Sequence, residues 1–311
     1  MAGKPIVAVL IPQPVRAQVL PQDLERRLAD FAEVASPAAS HPDRWNLSSL
    51  LAGASACLTG WGTPPLSNRL LASLPDLKLV AHTAGSIRRL VPESAMRRGL
   101  RVSHAAAVIA DAVAEMVVLQ ALMHARKLHK MDQAMKQGVG WDDVSERNSG
   151  RLLGALAIGV IGAGHVGRAV IKLLKAFGCR VRVFEPLLAS EDASRLGVEQ
   201  VTLSELLVNS DIITLHAPVL PGTRRMLGAA ELELIRDEAM FINTARGALV
   251  DESALLRHLR SGRITAALDV FENEPLPCDS ELRRLTDVIL SPHVAGHTID
   301  TRRRQGEAMV A

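Results

Sequence analysis

The sequence predicts an α/β protein of two Rossmann-like, doubly wound parallel-sheet domains with an active-site cleft between them. Three observations predict it. Short apolar runs alternate with helical patterns from residue 5 to about 103; a second alternation follows a polar connection; and one of the later apolar runs opens into a glycine-rich turn. Alternation of this kind implies a parallel sheet covered by helices. Strands that are apolar along most of their length are those buried on both faces. At 311 residues the chain is longer than one hydrophobic core usually serves.

Taken in order, the first alternation reads PIVAVLI, LERRLADFA, ACLTGW, NRLLASL, KLVAHT, ESAMRRG and LRVSHA. A long helix is expected over about 109–137, so apolar in its first half that it must be buried on nearly every side. Residues 141–153 are polar, carry a turn signal at Asn148, Ser149 and Gly150, and read as a connection. The second alternation supplies six candidate strands: ALAIGVI, CRVRVF, IITLHA, AMFINTA, ITAALDV and VILSPH. A terminal helix begins near residue 298, and its Arg302 to Arg304 run reads as a solvated face.

Composition excludes several classes. Hydrophobic residues at 48% and charged residues at 22% suit a globular chain rather than a disordered one. A net charge of +3 with scattered basic residues is a weak footprint for nucleic acid, which is not expected as a partner. Cys57, Cys179 and Cys278 form no CxxC pair, so neither a metal site nor a disulfide framework is indicated, and a reducing cytoplasm fits. The opening MAGKPIVAVLIPQP is too short to span a bilayer and unlike a signal peptide, and no membrane association is expected.

The strand ALAIGVI runs into GAGHVG at 162–167, and the helical pattern RAVIKLLKAFG runs out of it. Gly162 permits a tight turn, Gly164 lets backbone approach a pyrophosphate, and Gly167 allows the helix to pack on the sheet, with helix N–H groups facing the anion. Beyond the next strand stands Glu185, where an acid accepts from the adenosine ribose hydroxyls and repels a 2′-phosphate. The expected cofactor is therefore NAD (NADH), with NADP disfavoured. Arg182 complicates that preference, because strand alternation leaves its direction open.

Three later segments place an ionisable residue at a strand end: Arg246 in NTARG, Glu274 in LDVFENEP and His293 in SPHVAGHT. Each alone has a bland reading, as a surface cation, a loop carboxylate and a satisfied histidine. Together they meet what reduction of a 2-oxo acid needs. A guanidinium fork holds the carboxylate. A histidine, whose unperturbed pKa is about 6.5, donates the proton, and a carboxylate orients it.

With GAGHVG, FEP, LHAP at 215–218, NTARG, LDVFENEP and SPHVAGHT in place, the chain resembles the D-isomer-specific 2-hydroxyacid dehydrogenase family. That group includes phosphoglycerate dehydrogenases and glyoxylate or hydroxypyruvate reductases. The resemblance implies hydride transfer between NAD(H) and a small 2-oxo or 2-hydroxy acid, with D specificity. It implies a discontinuous substrate domain of residues 1–103 plus 295–311, an NAD-binding domain of 104–294, and a homodimer formed through the helix at about 109–137. It also extends the cofactor contacts to His165, Val166, His216, Pro218, Thr244, Ala245, Asp269, His293 and Gly296, with Asp269 at the nicotinamide carboxamide. Substrate would meet Arg246, His293 and the loop Ala84, Gly85 and Ser86. The family's usual polar side chains are missing from that loop, and Ser86, Ile87, Arg88 and Arg89 stand in their place. Trp61, in TGWG, is expected as an apolar wall for the substrate. Two alternatives stay open: a phosphite dehydrogenase of the same fold, and a nucleotide-sensing binding protein like the C-terminal-binding corepressors. Formate oxidation is disfavoured because Glu274 stands where those enzymes carry an amide.

Overall fold

The run Ile6–Leu10 (β1) alternates its side chains between two apolar clusters, as the period of a strand requires. Val7 and Val9 join Leu24, Leu28 and Val310, while Ala8 and Leu10 join Leu51, Leu66 and Val80. A strand buried on both faces is the mark of a sheet covered on both sides. That is what a computed structural model, describing residues 3–311, shows. Met1 and Ala2, which the sequence reading assigned to the first domain and the N-terminal segment, lie outside the described residues.

By its internal contacts the chain forms two compact units, 1–109 with 297–311, and 110–296. The sequence reading put the crossings at 103/104 and 294/295. The first shifts because the helix Ala106–Ala125 starts inside the first unit, where Ala105 N–H donates to the carbonyls of His82 and Ala84.

The first unit holds a five-stranded sheet of β1, Glu33–Ala35 (β2), Ala56–Thr59 (β3), Leu79–His82 (β4) and Arg101–His104 (β5), in the order β2-β1-β3-β4-β5. Every pairing is parallel. The short edge strand β2, at the sheet margin and only three residues long, gave no apolar run to read. The closing helix Ile299–Val310 returns to this unit and buries Val310 against β1.

The second unit holds seven parallel strands: Ala157–Ile161 (β6), Arg180–Phe184 (β7), Glu199–Gln200 (β8), Ile212–Leu215 (β9), Met240–Asn243 (β10), Thr265–Leu268 (β11) and Val288–Leu290 (β12). Their order is β12-β11-β10-β9-β6-β7-β8. The chain reverses direction of growth between β6 and β9, which is where such sheets bind ligands beyond their carboxyl ends. β8, two exposed residues at the edge, is an addition to the six expected strands.

The long helix expected over 109–137 is two helices, Ala106–Ala125 and Leu128–Lys136. Lys127 breaks it with φ 51, in the left-handed region that ends helices. The first of the pair is long and apolar enough, at a mean hydropathy of 1.8, to cross a membrane by length and composition. Nine of its twenty residues, Ala110 and Ala125 among them, are buried, and His124 Nδ1 meets Thr265 Oγ1 of β11 at 3.2 Å, so one side packs on the second unit; burial on nearly every side, as expected, is not found, for Leu119 is 51% exposed. The stretch read as a connection contains a further helix, Trp141–Arg147.

Candidate active site

At the end of β6 the chain turns through Gly162, whose φ of +96 suits glycine and whose missing Cβ would lie 2.8 Å from the carbonyl carbon of His216. The helix His165–Ala176 follows, and a Cβ on Gly167 would strike the Gly162 carbonyl oxygen at 2.0 Å. Both glycines are thus demanded by the fold. Gly164 differs, since a Cβ there meets nothing within 4 Å. Open space at this residue, in front of the N-terminus of a 12-residue helix, is where an anionic group could be held. His165 is exposed at the first helical position and Val166 half-buried behind it.

Glu185, one residue beyond β7, closes this turn. One carboxylate oxygen accepts from Ala163 N–H at 3.1 Å and the other from Leu187 N–H at 3.1 Å. Arg182 turns away from it, pairing with Glu199 at 3.3 Å and donating to the Asn209 carbonyl at 2.8 Å. The cation that complicated the sequence reading is therefore engaged elsewhere.

Beyond β9, the His216 ring meets Thr214 Oγ1 at 2.9 Å, and burial pushes its pKa down to about 3, so the ring is neutral in the folded chain. Pro218 next to it is exposed, and its carbonyl accepts from Thr223 Oγ1 at 2.6 Å. Beyond β10, buried Asn243 shapes the following loop: its Oδ1 accepts from Ala245 N–H at 3.0 Å and its Nδ2 donates to the Arg246 carbonyl at 3.2 Å. This leaves Arg246 exposed, with Nη1 donating to the Ala245 carbonyl at 2.5 Å. Thr244 Oγ1 is buried with no hydrogen-bond partner. An orphaned hydroxyl beside the glycine turn's sheet is what a bound dinucleotide would satisfy.

The loops after β10 and β11 touch through Gly247, where a Cβ would lie 2.0 Å from the carbonyl carbon of Phe271. On the second loop, Glu274 Oε1 accepts from Phe271 N–H at 3.1 Å and Oε2 meets His293 Nδ1 at 2.7 Å. His293 has φ 55, unusual for a residue with a side chain. Asp269 holds it there. This carboxylate is 0% exposed and accepts from Ser291 Oγ and from the N–H groups of Val294 and Ala295, each of these two at 2.9 Å. The Asp269 carbonyl also accepts from His293 N–H at 2.8 Å. A cavity of about 730 Å³, walled by Phe271, Leu276 and Leu290, opens beside Glu274 and His293.

A family model described as the NAD binding domain of D-isomer specific 2-hydroxyacid dehydrogenases matches residues 118–295. The chain belongs to that family. It is 33% identical over 257 residues to a glyoxylate reductase of Korarchaeum cryptofilum, covering 80% of this chain and 75% of that protein. A D-3-phosphoglycerate dehydrogenase of Methanocaldococcus jannaschii is 36% identical over 74% of this chain, which spans 44% of that longer protein. Among solved structures, a D-lactate dehydrogenase of Aquifex aeolicus complexed with NAD and lactic acid superposes with a TM-score of 0.79 at 26% identity. The match covers 98% of this chain and 93% of that one. The chain is accordingly an NAD-dependent oxidoreductase of 2-hydroxy acids.

Within this dehydrogenase, the structure joins two of the three expected catalytic side chains directly, Glu274 and His293. Arg246 stands on the neighbouring loop. Three expectations need correcting. Asp269, expected at the nicotinamide, is enclosed and works as the anchor of the 291–295 loop. Trp61 is not a bare apolar wall: the Arg302 guanidinium lies 3.9 Å over its ring centroid, and the His297 ring meets it edge-on at 5.3 Å. Arg302 therefore leaves the solvated run, with 9% exposure, because its helix turns it inward while Arg303 and Arg304 stay outside. In the first unit, Ala84 is buried with its carbonyl held by Ala105 N–H, Gly85 is half-buried and Ser86 exposed; Arg88 and Arg89 point to water. Gly296, the last residue of the second unit, is half-buried. Two positioning residues escaped the sequence reading, Asn243 and Ser291. Their only signal is a polar side chain at the end of an otherwise apolar strand.

Proposed function

We propose that this dehydrogenase interconverts a small 2-oxo acid and the corresponding D-2-hydroxy acid with NAD(H). The observation that carries the reading is the 2.7 Å contact of His293 Nδ1 with Glu274. A carboxylate on Nδ1 fixes the ring and its tautomer, and Nε2 is left as the atom that gives or takes the proton. During reduction, protonated His293 gives its Nε2 proton to the carbonyl oxygen as that oxygen gains an electron pair; oxidation runs the same transfer backwards. Glu274 stabilises the imidazolium throughout. Arg246, whose guanidinium matches a carboxylate in two parallel bonds, orients the substrate. When bound, the nicotinamide supplies or accepts the hydride.

The residues present fit that cofactor. Gly164 leaves room for the pyrophosphate, the helix at His165 faces it with N–H groups, and Glu185 stands ready for ribose hydroxyls while repelling a 2′-phosphate. Val166, His216, Pro218, Thr244, Ala245 and Gly296 complete the expected surround, and Asp269 serves it only by anchoring the 291–295 loop. NADH is the preferred form and NADPH the poorer one. Association into a homodimer and residence in a reducing cytoplasm, where Cys278 stays a thiol, belong to the same reading.

The test is NADH consumption, read by absorbance, over glyoxylate, hydroxypyruvate, pyruvate, phenylpyruvate, 2-oxoglutarate and phosphohydroxypyruvate, with His293→Asn as control. Turnover that collapses in the variant supports the proposal. NADH binding with no turnover on any of these acids overturns the substrate assignment and leaves the cofactor site standing.

A further inference from the structure

The helix Ile299–Val310 presents an unusual pair to the interior of the first unit. Arg302 is 9% exposed, its Nη1 is buried without an acceptor, and its guanidinium lies 3.9 Å over Trp61. Gln305, on the same helix face, is 0% exposed, and neither its Oε1 nor its Nε2 has a partner. Among the described residues no carboxylate pairs with Arg302. The nearby acids are taken by its neighbour, for Arg303 binds Asp23 at 2.6 Å and Glu307 at 2.9 Å. A guanidinium carries five N–H donors, and a buried cation without counter-charge is costly. Stacking on an indole face offsets part of that cost but uses none of the donors. Burial also depresses the guanidinium's affinity for its proton. The position is held firmly, because Gly306 lets the helix backbone ride against the Val19 carbonyl, where any Cβ would clash at 1.5 Å.

We propose that Arg302, with Gln305 beside it and Trp61 against its face, binds the carboxylate of a small organic acid. A carboxylate matches the planar fork in two parallel bonds, neutralises the buried charge and gives the Gln305 amide an acceptor. The carboxylate has two sources: a second acidic group of the substrate, or a separate small acid. Inorganic phosphate is the competing probe, since a tetrahedral anion matches the planar fork and its stacked face less closely.

The site is read first without turnover. With Trp45 and Trp141 replaced by phenylalanine, Trp61 is the remaining indole, and its fluorescence is titrated with oxalate, malonate and inorganic phosphate. A saturable change with the dicarboxylates, stronger than with phosphate, is expected. It should be abolished in Arg302→Met and weakened about tenfold or more in Arg302→Lys, which keeps the charge but loses the fork. The lysine variant also covers the case in which the methionine variant does not fold. A change that persists in Arg302→Met, or none in the parent, overturns the proposal.

A kinetic arm, which rests on the proposed 2-oxo acid reduction, then separates the sources. If the carboxylate is the substrate's own, Arg302→Met raises KM for 2-oxoglutarate about tenfold over any change for 2-oxopentanoate. If it belongs to a separate acid, KM for both substrates is unmoved and the effect of added malonate on the rate disappears. Equal losses on both substrates with unaltered malonate response mark Arg302 as a structural clamp and overturn the site. Absence of turnover in the parent counts against the dehydrogenase reading alone, because the fluorescence titration still reports the anion.

Discussion

A methyl group added at Gly167 would sit 2.0 Å from the Gly162 carbonyl oxygen, whereas one added at Gly164 meets nothing within 4 Å. The two glycines of one motif therefore answer to different constraints, one to the fold and, in the proposed reading, one to the pyrophosphate. Gly167→Ala should lose about 3 kcal/mol or more of stability, read as a fall in the denaturant midpoint. Gly164→Ala should unfold like the parent yet bind NADH about tenfold more weakly, by titration of its fluorescence. Equal effects of the two on stability would refute the assignment of Gly164 to the pyrophosphate. The same logic separates the residues around the proton. His293 touches the reacting oxygen in the proposed mechanism, so His293→Asn should lower kcat about 10² to 10⁴-fold. Asn243 acts only by shaping the Arg246 loop through two hydrogen bonds. Asn243→Ala should therefore raise KM more than it lowers kcat, and the reverse pattern would sink its positioning role.

At the scale of elements, β6, β9, β10 and β11 were legible because each is apolar and largely buried, while alternating β7 and half-buried β12 still carry enough apolar residues to read, and the site's chemistry stands at the carboxyl ends. Edge strands β2 and β8 were not, since strands of three and two residues are too short to show an apolar period. The break at Lys127 was invisible for another reason: no glycine or proline marks it, and a lysine holds a left-handed φ of 51. Lys127→Gly should accordingly stabilise the protein by about 0.5–1 kcal/mol, relieving that conformation, and a lower melting temperature would contradict it. The fate of Arg302 was unreadable because helical phase near a chain end decides between solvent and core, and a run of three arginines spans both. Two histidines tie elements to sheets. Burial, with help from His104, pushes His82 down to about 4; burial, then His129 and Lys130, does the same to His124. Both are neutral in the folded chain, while the unfolded chain takes up their protons near pH 6.5. The unfolded state thus binds more protons between about pH 6.5 and 4, and stability must fall as pH drops through that window. Urea midpoints at pH 7, 5.5 and 4.5 should show the loss, and His82→Asn combined with His124→Gln should flatten it. A variant whose slope equals the parent's would show that other groups carry the effect.

At the scale of the whole molecule, the question is what covers the second unit's apolar surface. Thirteen large hydrophobic side chains are exposed among the described residues, and six of them, Leu119, Leu128, Met135, Val139, Trp141 and Leu152, fall between residues 119 and 152. Exposure is high where it matters, 74% at Trp141 and 76% at Leu152. Isolated apolar side chains on a surface need no explanation, but a concentration within one short stretch of helices is what an interaction face would show. The same unit ends its sheet in β12, whose three residues, Val288 to Leu290, are all only half-buried. A symmetric pairing of two chains would bury this stretch against its own copy, and an interface of about 800 Å² per partner is needed for it to persist. Sedimentation at micromolar concentration should therefore give twice the 33.4 kDa of one chain. Leu119→Glu with Trp141→Glu places charge on that face without touching β6, the glycine turn or His293. The variant should sediment as a single chain while binding NADH as before. If the parent itself sediments at 33.4 kDa, the exposed stretch is not a self-association face; if the variant stays dimeric, two chains meet elsewhere and this stretch is free for another partner.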